Sequence, residues 1–274
     1  MVLLYIPPVQ NLLRREVTAY ASKATGMQIQ VERIDLRFPL NLLVRGVEVI
    51  QQPDTLLSLE SLNVRVQAWP LLKGKVEVDE VTLSQVAVNS ANLIEGMQIK
   101  GVLGRFFLQS HGVDLSNETA VVNRTELSDT HIQLLMTDTT TTPKDTTASA
   151  PVNWKVNLHQ LKLKNVSFGM KLPADSMKMA AYIGEATIDD AKADLKNQFY
   201  GLKQFLLSGA SASYDTGEAQ PSEGFDASHM AVRNIRIGLD SLLYEGRNMN
   251  AVIREITMEE RSGLSITSVS YTHL

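Results

Sequence analysis

The chain has 274 residues, of which 44% are hydrophobic and 20% charged, with a formal net charge of −4. That composition can bury apolar surface. It argues against a nucleic-acid partner, because the basic residues are dispersed, with no run longer than Arg14-Arg15, and phosphate binding needs a basic face. The absence of cysteine removes disulfides, thiolate metal sites, iron–sulfur clusters and a cysteine nucleophile together.

The chain opens on Met1-Val-Leu-Leu-Tyr-Ile6, apolar throughout, followed by Pro7-Pro8. A bilayer span needs about 20 such residues, and a signal peptide needs a basic start and a longer apolar run. Two readings stay open at this point: a buried strand, or the last turn or two of a membrane anchor.

A helix follows. Pro7-Pro8 suit its first turn, and Gly26 suits the position just past its end. Apolar residues at Val9, Leu12, Leu13, Val17, Tyr20, Ala21 and Ala24 recur mostly three or four apart, which makes one stripe. The spacing predicts a helix over residues 9–25 that packs Leu12, Leu13, Val17 and Tyr20 on the open end of the sheet that follows. Arg14, Arg15, Glu16 and Lys23 lie on the other side.

The rest reads as strand, in a repeating pattern. Val76, Val78, Val81, Leu83, Val86 and Val88 are spaced Φ-x-Φ-x-x-Φ-x-Φ-x-x-Φ-x-Φ, and Val156, Leu158, Leu161, Leu163, Val166 and Phe168 repeat the spacing. Shorter copies begin at Ile29, Leu42, Leu57, Met230 and Ala251, and a weaker one runs from Ala181 to Ala193. At about 100° per residue, offsets 0, 2, 5 and 7 point to roughly 0°, 200°, 140° and 340°, so no single helical face holds them. In a strand the same spacing is alternation broken by one extra residue, which a bulge or corner supplies. Irregularities are therefore expected near Asp79-Glu80, Ser84-Gln85, His159-Gln160 and Lys164-Asn165. The fold expected is mainly β: an elongated, bent, strongly twisted antiparallel sheet forming an apolar groove, with one N-terminal capping helix. Aromatics at only 6% lean toward an open trough rather than a closed core.

Two polar segments interrupt the pattern. Residues 137–151, TDTTTTPKDTTASAP, read as a Thr-rich linker, and residues 211–228 read as a second polar loop. The expected organisation is 1–6 as the remnant of an anchor, 7–136 as helix plus first β-groove unit, 137–151 as linker, and 152–274 as a second, truncated β-groove region.

The chemistry of catalysis is not in evidence. Of the five histidines, none has metal-ligand spacing, and His131 and His159 sit at polar positions of strand-like stretches, where exposure is expected. Asp189-Asp190 falls at a break of the repeat, where a turn or bulge explains it better than an acid–base pair. No nucleophile elbow, P-loop or dinucleotide fingerprint is present. Phe106 and Phe107 are read as packing one ring on each side of a strand. Catalytic residues, metal ligands and cofactor are therefore expected to be none, and the chain is read as a non-enzyme.

Residues 55–66 (TLLSLESLNVRV), then Trp69-Pro-Leu-Leu-Lys-Gly-Lys75, a strand-ending turn, then Val76 to Val78 and Val81 to Leu83, resemble the N-terminal unit of AsmA-like proteins. The upstream stretch, Tyr5-Ile-Pro-Pro8 through Gly26 and Arg45-Gly-Val47, is similar to the start of TamB-type translocation and assembly proteins of Bacteroidota. The likeness covers residues 5 to about 136 and is only of general kind from 152 on. It implies an inner-membrane anchor, a periplasmic location, and a long β-structure whose apolar interior conducts phospholipid acyl chains. It also implies support of outer-membrane protein assembly through a C-terminal partner-binding part beyond this chain. The alternative kept beside it is a β-solenoid or adhesin-like surface protein. The tripeptides at Asp54-Thr55-Leu56, Asp138-Thr139-Thr140, Asp145-Thr146-Thr147, Asp175-Ser176-Met177 and Asp240-Ser241-Leu242 resemble the O-glycosylation signal of Bacteroidota, which requires those hydroxyls to be exposed.

Overall fold

A computed structural model describes residues 7–67, 77–90, 93–94, 96–114, 118–136, 153–173, 176–217, 220, 222–245, 248–249, 258–260 and 265–266. The membrane-anchor reading of residues 1–6, the Trp69–Lys75 turn, Val76, the Thr-rich segment 137–151 and the copy of the repeat at Ala251 to Ile256 lie outside those residues.

Helix α1 (Pro7–Thr25) precedes ten long strands: β1 (Gln28–Arg37), β2 (Asn41–Gln51), β3 (Asp54–Val66), β4 (Val78–Asn89), β5 (Met97–Asp114), β6 (Thr119–Met136), β7 (Lys155–Leu172), β8 (Met177–Asp194), β9 (Phe199–Asp215) and β10 (His229–Glu245). Three short strands follow: β11 (Asn248–Met249), β12 (Met258–Glu260) and β13 (Ser265–Ile266). All belong to one open sheet, in which β1 to β10 lie in chain order, β12 and β13 continue the path, and β11 pairs beside β12 on β10. The ladder crosses from β6 to β7, so the residues on either side of the Thr-rich segment share one sheet. No helix among the described residues is long and apolar enough to cross a membrane.

The sheet is not antiparallel throughout, as the sequence reading expected. β6 and β7 run parallel at a constant offset, Thr119 opposite Lys155 and Leu135 opposite Lys171. Side-chain alternation carries no information about strand direction. What permits the parallel pair is length: residues 137–154, extended, reach about 60 Å, enough to return along the 18-residue β6. The polar segment expected at 211–228 is also shorter than its composition suggests, because Ser211 to Asp215 finish β9. Small polar residues in a strand pair as well as any others once neighbours hold the ladder.

The broken alternation resolves into one crease. The partners Val31–Val47 and Arg33–Arg45 leave Glu32 opposite Gly46. The same flanking logic continues the row through Glu60, Gln85, Gly104, Asp129, Asn165, Gly184 and Gly209. Gly46, Gln85, Asp129, Asn165 and Gly209 have φ of +60°, +50°, +52°, +53° and +61°, the left-handed region, and Asn234 in β10 has +52°. A left-handed residue reverses which face the following side chains take. The left-handed residues of this row stand in β2, β4, β6, β7 and β9, and from β1 to β8 the ladder keeps its register on either side of it. The residues expected at 84–85 and 164–165 are members of this row. At 79–80 a register shift lies between Arg65 and Val66, which pair with Glu80 and Val78. At 159–160 the left-handed residue sits in the partner strand, at Asp190 with φ of +49°.

Helix α1 covers the free edge of β1, but not with the face the periodicity indicated. Gln10 Nε2 donates to the Leu36 carbonyl at 2.9 Å and Arg14 Nη1 to the Glu32 carbonyl at 2.8 Å. The Ile29 N–H donates to Ser22 Oγ at 3.0 Å. Leu12, Val17 and Tyr20 remain 56%, 46% and 77% exposed. The edge strand offers unpaired amides and carbonyls rather than apolar surface, so the polar face of α1 satisfies it and the stripe turns outward.

Candidate functional site

The four apolar positions of the repeat become three continuous rows across β1 to β10 and a fourth across β1 to β8. One row reads Ile29, Val49, Leu57, Val88, Gly101, Ile132, Phe168, Ala181, Ala212 and Val232, each the direct ladder partner of the next. Another runs from Ile34 through Leu62, Leu83, Phe106, Leu127 and Leu163 to Leu207 and Ile237. A third runs from Leu36 through Val81, Leu108 and Leu161 to Phe205 and Leu239, and a fourth from Val31 through Val86, Leu103 and Val166. Thr125 and Thr130 are polar members of these last two. At about 4.8 Å between strands and about 3.3 Å per residue, the apolar face measures about 43 by 23 Å.

No second layer covers this face among the described residues. Apart from α1 on β1, every substantial contact between elements is between ladder neighbours. The only buried hydrophobic side chains among the described residues are Ile34, Leu43, Leu56, Ala120, Ala186 and Ala210. Most members of the rows are half-buried by their in-plane neighbours, while Val88, Ile132 and Phe168 are each 40% exposed. An apolar expanse on the order of 1,000 Å² exceeds the few hundred Å² that soluble monomers usually leave uncovered.

The other face is polar. The repeat places its x positions there, and near one end of β5–β10 they enclose a depression of about 1080 Å³. On β5 and β6 it is lined mainly by Gln98, Lys100, His131 and Gln133, without the intervening Ile99 and Ile132, so it opens there on the polar side, while Leu134, Phe168, Ala181, Ala212 and Val232 of the apolar alternation also border it. Its floor is a row of small residues, Gly169, Ala180, Ser213 and Ala231, flanked by the longer Lys171, Lys178, Tyr182 and Arg233.

Among the described residues the histidines do not assemble a catalytic group. His131 is exposed, as expected. Gln133 Nε2 donates to its Nε2 at 2.8 Å, which leaves the proton on Nδ1, and Nδ1–H donates to Ser167 Oγ. This is the reverse of a base that activates serine. His159, also exposed, contacts Asp190 at 3.1 Å, with Lys203 at 3.8 Å from the same carboxylate. The hydrogen bond from His159 holds Asp190 below the usual carboxylate range. Asp190 is thus both the expected irregularity and part of a surface ion cluster. Phe106 faces the apolar side, and Phe107 faces the other, with the Arg105 guanidinium 5.7 Å from its ring centre.

The sequence reading missed His229. It is 1% exposed, with Nδ1 at 2.8 Å from Asp226 and Nε2 at 3.8 Å from Asp215. Asp226 also accepts the N–H groups of Ser222 and Ser228, and these bonds, Ser222 first and His229 next, lower its pKa to about 2. The cluster pins the loop before β10 to the end of β9. The only signal in the sequence is the three-residue spacing of Asp226 and His229, which is common by chance. No group of three or more His, Cys, Asp or Glu side chains that could hold a metal ion occurs among the described residues. Of the hydroxyls in the five tripeptides, Thr55 and Ser176 are exposed, and Thr139, Thr146 and the side chain of Ser241 lie outside the described residues. A scan of the chain against protein-family models finds no match, and a search of curated proteins finds none either.

Proposed function

We infer that the chain is a non-catalytic part of a Gram-negative envelope protein of the AsmA/TamB kind. In this reading it sits in the periplasm, tethered to the inner membrane by an anchor preceding α1. Its apolar face forms a groove that carries phospholipid acyl chains and supports outer-membrane assembly through a part beyond this chain. The observation that carries the reading is the apolar face left uncovered among the described residues, three rows of it running from β1 to β10 and a fourth from β1 to β8. Burial at about 25 cal/mol per Å² holds an acyl chain on such a face without any polar contact. The sheet satisfies its own backbone groups along the ladder, so the face needs no water to do so. The alternating strand direction favours this reading over a β-solenoid, whose stacked coils pair in parallel; only β6 and β7 do so among the ten long strands.

Native mass spectrometry of the gently purified protein tests it. Co-purified phospholipid is expected on the wild type. Leu161→Asp and Val81→Asp, at half-buried positions of the same apolar row, are expected to shed the lipid while circular dichroism still reports the sheet. Lipid-free wild type, or equal occupancy in folded variants, refutes the proposal.

A further inference from the structure

The depression on the polar face does not depend on the lipid reading, although Phe168, Ala181, Ala212 and Val232 of the first apolar row also border it. We propose that it binds an acidic oligosaccharide, a short chain of sugars carrying carboxylate or phosphate groups. Charge is the first argument. The protein as a whole is negative, at −4. The depression nevertheless presents Lys100, Lys171, Lys178 and Arg233 against a single carboxylate, Asp215. Lys171 and Lys178 are direct cross-strand partners, an arrangement that like charges make unfavourable. Among the described residues, Lys100, Lys171 and Lys178 have no ion-pair partner. An anion seated between them relieves the repulsion.

Shape and the neutral groups select among anions. A space of about 1080 Å³ is at the upper end of ordinary ligand pockets, far more than one phosphate fills. It is concave, so a flat bilayer surface does not reach its floor. Along β5 to β9 the backbone beneath it is already paired on both sides, so among the described residues an acidic peptide finds a strand edge only on β10 beyond Ala231. Ser167, Ser211, Ser213 and Gln133 supply hydroxyls and an amide that both donate and accept, the chemistry of sugar hydroxyls. Tyr182, 39% exposed in the same lining, offers a ring against which the C–H face of a pyranose packs.

Isothermal titration of the full chain with hexagalacturonate, with neutral maltohexaose and with inorganic phosphate tests the proposal. Saturable binding of hexagalacturonate is expected, weakened by salt as screened charges require, with maltohexaose and phosphate each much weaker. Lys171→Gln with Lys178→Gln is expected to cost about tenfold or more, the weight of a lost charged hydrogen bond, with an unchanged circular dichroism spectrum. Tyr182→Ala is expected to weaken hexagalacturonate binding and leave phosphate binding unaffected. No binding by the wild type, equal binding of phosphate, or equal binding by the folded lysine variant overturns the proposal. Sedimentation with phosphatidylglycerol vesicles that needs the same lysines, without oligosaccharide binding, overturns it in favour of a membrane surface.

Discussion

Replacing Gly46 by alanine tests whether the crease is a backbone device. Gly46 sits at φ +60° in β2, where a β-carbon costs about 1 kcal/mol or more. That β-carbon would also lie 2.6 Å from both Cβ and Oε2 of Glu32 on β1. Ordinary carbon contacts begin near 3.5 Å, so β1 would have to retreat by roughly 1 Å. Oε2 is at the flexible end of an exposed side chain and swings away, but Cβ moves only with its backbone, and Arg14 holds the Glu32 carbonyl from the far side. The two terms together predict a loss of about 2–3 kcal/mol, within the usual range for strain at a special backbone position. Gly169→Ala is the matched control. It lies in β7 without left-handed φ, and its added carbon would meet nothing closer than 3.9 Å. It is expected to be neutral or slightly stabilising. Urea unfolding of both variants, read as midpoints at unchanged slope, decides. If Gly46→Ala and Gly169→Ala unfold together, the crease does not depend on left-handed residues and the account of the repeat is wrong.

Other expectations follow from named contacts. Asn165, left-handed and bonded through Nδ2 to Asp129 Oδ1 at 2.8 Å, is expected to lose about 1–2 kcal/mol as Asn165→Ala, read by thermal unfolding; an unchanged melting temperature counts against it. Asp226 has its folded pKa near 2, below an unfolded value of about 3.9. Its contribution is therefore fully present above the unfolded value and lost as pH falls through about 2. The stability gap between wild type and Asp226→Asn should close over that window, and a gap independent of pH refutes the assignment. Arg14→Ala is expected to loosen α1 and speed hydrogen exchange at Ile29, whose N–H donates to Ser22, without changing exchange in mid-sheet strands such as β7. Thr55 and Ser176 are exposed, and at least one of the five tripeptides is expected to carry sugar in the native host; an intact mass equal to the sequence mass excludes it.

The strands were legible because their signal is local and redundant. A pair of x residues at 32–33, 45–46, 84–85, 164–165 or 184–185 marks an interruption whatever the neighbouring strand does. That these interruptions form one row was not legible, since it depends on register, and register is set by pairing between strands. The parallel junction of β6 with β7 was hidden for the same reason. The helix was found within two residues, yet its orientation was misread. Hydrophobic periodicity assumes that a helix meets apolar surface, and the edge of β1 presents hydrogen-bonding groups instead. Of the candidate sites, the apolar face was anticipated residue by residue at Val81, Leu83, Leu161 and Leu163. The polar depression was not, because Lys100, Lys171, Lys178 and Arg233 are far apart in sequence and each looks like an ordinary solvated charge.

The geometry of the repeat explains why such a sheet carries so little conventional core. Most strands contribute three or four apolar positions and a crease position, so the apolar face lengthens by about 4.8 Å per strand and never needs to close. Ten strands give about 43 Å, longer than the roughly 30 Å hydrocarbon thickness of a bilayer, so a single lipid tail lies well within the rows. A closed barrel would remove both edges but fix its size by strand number. An open creased sheet leaves two edges, and here the β1 edge is blunted by Gln10, Arg14 and Ser22 of α1. The outward stripe of Leu12, Val17 and Tyr20 is the consequence of that use of the helix. The polar face of α1 is committed to the sheet, so its apolar side can only meet something other than this sheet.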